Sequence, residues 1–159
     1  MTITTDPAAA IDEITAKAMA HARGLARNAA AAGTVPAAAA AIADLEARNP
    51  GHVLAWPDGN GGSHVFLDAV DLGAPYAQAT TWMAFHIANT TPNCDVYPHW
   101  IRSDLTRVDG IPIVPPLHVG NNWLELAATM VSLASNKRDP LVDTPAHKVV
   151  RVLTKIRSL

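Results

Sequence analysis

The sequence predicts an α/β fold of the α+β kind, an antiparallel β-meander flanked by N-terminal and C-terminal helices. Two observations carry this. Apolar residues recur at spacings of three and four up to residue 48, alternate every second position between 52 and 88, and return to helical spacing after residue 144. The alternating runs are joined by short, turn-forming links, which suit hairpins and leave no room for helical crossovers. A chain of 159 residues is long enough for one domain to bury its own core. We read it as a single domain, with a helical part at 1–48 and a sheet-containing core at 50–159.

A first helix is expected over 7–31. Asp6 can cap its free amides, and Pro7 suits the first helical position because it has no amide hydrogen to lose. Ile11, Ile14, Ala18, Ala22 and Leu25 form its stripe, and Gly33 marks a stop. A second helix is expected over 35–48, with Ala38, Ile42 and Leu45 inward, closed by Asn49-Pro50-Gly51.

Three strands follow. They are 52–56, 63–72 with Val65, Leu67 and Ala69 on one face, and 80–88 with Trp82, Ala84 and His86 opposite Met83, Phe85 and Ile87. The link PDGNGG at 57–62 is a hairpin turn; it lacks the lysine and hydroxyl residue of a phosphate-binding loop. Beyond Asn89 no regular period persists. Residues 112–123 carry three prolines and cannot lie in the middle of a sheet. Residues 124–135, LELAATMVSLAS, fit either a short helix or a strand in their second half. Thr144-Pro145 opens a last helix over 145–157, with Val149, Val152, Leu153 and Ile156 as its stripe.

Composition narrows the function classes. Net charge is -2 with no run of like charge, so no concentrated basic surface is offered to duplex nucleic acid. The alanine-rich stretches are too short and too weakly apolar to span a bilayer. MTITTDPAAA has no basic region ahead of an apolar run, so no secretory signal and a cytoplasmic location are expected. The single cysteine rules out an internal disulfide and a thiolate metal cluster.

The chemistry-bearing residues gather in TPNCDVYPHWIRSDL, residues 91–105. A thiolate at Cys94 could attack a carbonyl or exchange a thioester if His99 or a dipole activated it; equally, it could be an inert thiol. Arg102, Asp104, Arg107 and Asp109 could pin a loop through charge-assisted bonds or meet a partner. Arg102 and Asp104 are expected to point away from the packed face. Trp100 or Trp123 should anchor the irregular segment, because a chain with 5% aromatic residues has few other large side chains. His52, His64 and His86 could be neighbours across the sheet, but no spacing forms a metal motif. No metal and no cofactor are expected.

The order of elements, with YPHWIRSDLTRVDG inside the run from Pro92 to Gly110 and SLASNKRDPLVDTPAHKVVRVLTKI at the end, resembles divergent bacterial proteins of the ubiquitin-conjugating enzyme fold. That resemblance implies a four-stranded meander, a leading helix, a Tyr-Pro segment and C-terminal helices. It also implies a ubiquitin-like protein or an activating enzyme as partner, in a modification or antiviral defence system, met through Tyr97, Trp100, Arg102, Asp104 and Arg107. The family's catalytic cysteine follows the Tyr-Pro, beyond a His-Pro-Asn motif. This chain has neither; Asn121, Asn122 and His118 stand in about that region, and Cys94 precedes Tyr97. An interaction module is therefore expected, with a Cys94-dependent transferase as the alternative.

Overall fold

The computed structural model describes residues 12–30 and 33–159. Among them are helix α1 (Glu13–Asn28), α2 (Pro36–Arg48), strands β1 (Val53–Pro57), β2 (Ser63–Asp71), β3 (Thr80–Ile87), β4 (His99–Ile101), β5 (Leu117–Trp123) and β6 (Leu126–Val131), and α3 (Pro145–Arg157). The strands form one six-stranded antiparallel sheet in the order β1-β2-β3-β4-β6-β5. The architecture is α+β; β1 to β3 are the three strands expected of the meander, and β4, which the residue pattern did not show, continues it. The hairpin β5–β6 extends it beyond β4.

The cap expected at Asp6 and Pro7 lies outside the described residues. The described part of α1 starts at Glu13, where the Asp12 carboxylate accepts from the Thr15 amide at 2.8 Å. It ends at Asn28, three residues short of the expected limit, where Ala29 turns extended. In α2, Pro36 occupies the first turn, and Asn49 donates back to the Leu45 carbonyl at 3.0 Å to close the helix. Thr144 caps α3 through the His147 amide, and Lys155 and Arg157 complement the carboxyl end of its dipole.

Strand alternation splits the large side chains between two layers. Val65, Leu67, Met83, Phe85, Ile87, Ile101 and Val131 face α2 and α3, where Leu45, Val149, Val152 and Ile156 complete the main core. Phe66, Trp82, Ala84, Trp56, Trp123 and Ala128 face the other way, beneath α1. There Ala18 and Ala22 let the helix backbone lie close to an aromatic floor in which Trp82 and Trp123 sit 5.6 Å apart. The face assignments made for 80–88 hold, with His86 at the exposed end of its face.

One face assignment fails. Between Leu67 and Val70 the β2–β3 register slips by one residue, so Val70 takes the core position and Ala69 turns to solvent. The turn 58–62 is built on Asp58, whose carboxylate accepts from the Asn60 and Gly62 amides. A Cβ at Gly62 would lie 2.4 Å from the Ile87 carbonyl oxygen, so only glycine fits there. The prolines at 112, 115 and 116 precede β5, which is an edge strand. Residues 126–131 resolve as strand and not helix.

Candidate functional site

The crossing from β3 to β4 is held by a polar knot that no motif announced. The Asp95 carboxylate accepts from Lys148 Nζ at 3.0 and 3.1 Å and from the Ser135 amide at 2.8 Å. Lys148 Nζ also donates to Ser135 Oγ at 2.6 Å. Three oxygens, two of Asp95 and one of Ser135, thus surround Lys148 Nζ. Burial pushes the Asp95 carboxyl up, but the bonds from Ser135 and Lys148, with the charges of Lys148 and Arg138, hold it below the ordinary carboxylate range. The members are separated by 40 and 53 residues, too far apart for any sequence pattern to reveal.

Cys94 stands beside this knot. Its thiol is exposed, and its one hydrogen bond among the described residues is a 3.5 Å contact with the Asp95 carbonyl. The adjoining cavity is about 10 Å³, room for about one water, and Arg138, Lys148 and Arg151 line it with Asp95 and Asp143. His99 does not serve the thiol. Its ring is completely buried against Phe85, 5.1 Å between centroids, and neither nitrogen has a hydrogen-bond partner. Burial, and then the Lys148 charge, lower its pKa to about 3, with Asp95 opposing. The base proposed for Cys94 is a neutral core residue.

The expected outward display of Arg102 is also corrected. Its residue is 3% exposed, and the guanidinium donates to Asp104 at 2.6 and 3.0 Å, to Asp12 at 2.7 Å and to the Thr80 carbonyl at 2.8 Å. Burial alone would lower its pKa; the hydrogen bonds it donates to Asp104 and Asp12 outweigh it and raise it. β4 places Trp100 and Ile101 on opposite faces, and the next residue bends inward to meet the Thr81 hydroxyl through its backbone. Asp104 remains half-exposed. Trp100 is half-buried at the margin of the aromatic floor, while Trp123 is 3% exposed within it. Trp123 thus packs beneath α1, and Trp100 borders the same layer, on the face of the sheet opposite the main core.

Tyr97 is exposed, with its hydroxyl 2.6 Å from Ser132 Oγ. Arg107 binds Asp109 through Nε and Nη2 and reaches the Leu159 carbonyl at 2.8 Å. The segment 103–113 is sewn to residues 75–78. Gln78 donates to the Asp104 carbonyl and accepts from the Thr106 amide, and Val108 donates to the Pro75 carbonyl at 3.0 Å. Between this ordered loop and β5 lies an open groove of about 700 Å³, with Leu105, Ile111, Pro112, Ile113 and Val119 along its walls. Ile111 and Val119 are more than half exposed, and Val108 stands beside the groove at 67%.

On the far side of the sheet, His64 and His86 are cross-strand partners with rings 5.1 Å apart, and His86 bonds Asp58 at 2.7 Å. His52 pairs separately with Asp68 at 2.6 Å. Among the described residues no three His, Cys, Asp or Glu side chains are placed to hold a metal ion, and no helix is long and apolar enough to cross a membrane. Comparison with family models, curated proteins and solved structures gives no match.

Proposed function

We propose that the chain is a non-catalytic docking module of the ubiquitin-conjugating-fold kind. It holds a ubiquitin-like protein or its activating enzyme in a bacterial modification or defence system. The observation that supports docking is the groove between residues 103–113 and β5, whose apolar walls are open to solvent while the charges at its rim are already satisfied internally. A partner there gains apolar burial without stripping water from an unpaired charge. It also meets a loop that is already ordered, so less entropy is lost on association. The partner's identity comes from the resemblance of the Tyr97-Pro98 region and the terminal helix.

A transferase reading draws on one observation, the exposed Cys94 thiol beside a cavity lined by Arg138, Lys148 and Arg151. It lacks a base, since His99 is sealed in the core. Calorimetric titration with a candidate ubiquitin-like protein distinguishes the two. Docking through the groove predicts that Ile111→Asp and Val119→Asp each weaken binding at least about tenfold, equivalent to about 1.4 kcal/mol, while Cys94→Ser leaves it unchanged. Binding indifferent to both groove variants would refute the docking site.

A further inference from the structure

A second concavity lies on the opposite layer, where α1 meets the edge strand β1. Its volume is about 170 Å³, and it is lined by Met19 and Arg23 of α1, residues 51–54 at the start of β1, and Phe66 and Asp68 of β2. A cavity of about 150 Å³ accommodates a single benzene-sized ring. The floor suits one: Phe66 is 2% exposed, and Leu54 and Met19 pack with it in the aromatic layer.

The rim is polar and asymmetric. Asp68 is spent on His52, accepting at 2.6 Å from its Nδ1, while the Asp68 amide donates to the His52 carbonyl at 3.2 Å. This double tie fixes the imidazole at the mouth and engages the Asp68 carboxylate there. Arg23 lines the same space and forms no ion pair among the described residues. The mouth therefore offers a guanidinium that no carboxylate holds in an ion pair among the described residues, above an apolar floor.

From this combination we infer that the pocket is a binding site for a small organic anion with an apolar ring, of the aromatic carboxylate class. The ring lies on Phe66, Leu54 and Met19, and the carboxylate takes the paired N–H donors of Arg23. The site is separate from the groove and from Cys94, and it stands whether or not the chain docks a protein.

The test is a titration of the isotopically labelled full chain with sodium benzoate, followed by amide chemical shifts, with sodium acetate and benzyl alcohol as matched controls. Benzoate should produce saturable shifts centred on residues 19–23, 51–54 and 66–68. Acetate should lack the ring's contribution and benzyl alcohol the charge's, so each should bind at least about tenfold more weakly, and Arg23→Gln should weaken benzoate by about the same factor. Arg23 is on the surface, so the variant's unperturbed spectrum certifies its fold. Non-saturating or scattered shifts with benzoate would overturn the site. Equal binding of benzyl alcohol, or an Arg23→Gln variant that binds benzoate as the parent does, would overturn its anion specificity.

Discussion

Arg102 and Asp12 are joined at 2.7 Å across 90 positions of sequence, and that bond fastens the first turn of α1 to the end of β4. Asp12 is at once the helix cap and the partner of a guanidinium that is otherwise shared with Asp104 and the Thr80 carbonyl. Asp12→Ala should therefore cost about 1–2 kcal/mol, the upper part of the range for a lost cap. Asp12 and Asp104 are both about two-fifths exposed, so neither alone is expected to cost as much as a fully buried partner. Removing both leaves the buried cation without a carboxylate, and the double variant should lose more than the sum of the singles, by about 1 kcal/mol or more. Urea unfolding of the three variants measures it; strict additivity would mean the two carboxylates do not share one cation.

His99 makes stability depend on pH. Its folded pKa of about 3 lies below the ordinary 6.5 of an exposed histidine, so between those values the unfolded chain binds a proton that the folded chain refuses. The stabilising contribution is complete above about pH 6.5 and is lost as the pH falls toward about 3. A His99→Leu variant should be little changed at pH 7.5, because the ring nitrogens have no partners to lose. Its denaturation midpoint should fall less steeply than the parent's between pH 6.5 and 4.5. Parallel curves over that window would show that His99 does not set the slope.

The knot behind Cys94 yields a cleaner pair of variants. Lys148 is 5% exposed, so Asp95→Ala strands a buried ammonium and should cost about 3 kcal/mol or more. Replacing the cation as well, in Asp95→Ala with Lys148→Met, should recover at least half of that loss, since the apolar stem is kept and the unpaired charge is gone. No recovery would mean that the lost Ser135 amide bond, and not the charge, dominates.

The two tryptophans should separate. Trp123 is buried among Trp56, Phe66 and Trp82, so Trp123→Ala should cost about 3–5 kcal/mol. Trp100 only borders that layer, and Trp100→Ala should cost less than half as much. Thermal or urea unfolding decides; equal losses would contradict the packing described.

The elements that sequence reading found are those whose period survives in a single run: the main bodies of α1, α2 and α3, and β1 to β3. The rest was hidden for physical reasons. β4 has three residues, too few to show alternation. The β5–β6 hairpin turns at Leu124 and Glu125, which take φ of 44° and 72°, where asparagine and glycine are the usual signal. Within β5, Gly120 at φ 78° and the register slip between His118 and Asn121 disrupt the pattern further. Arg102 looked like an outward charge because it alternates with Ile101 and Ser103, but its burial depends on Asp12, which no local spacing reveals. The same holds for Asp95, Ser135 and Lys148.

The most direct test of the proposed docking role without catalysis is to incubate the chain with a candidate activating enzyme, a ubiquitin-like protein and ATP, and run the products on a non-reducing gel. Docking predicts a stable complex in solution, no thiol-sensitive adduct, and identical behaviour of Cys94→Ser. An adduct that disappears under reducing conditions and is absent from Cys94→Ser would contradict it and establish transfer through Cys94.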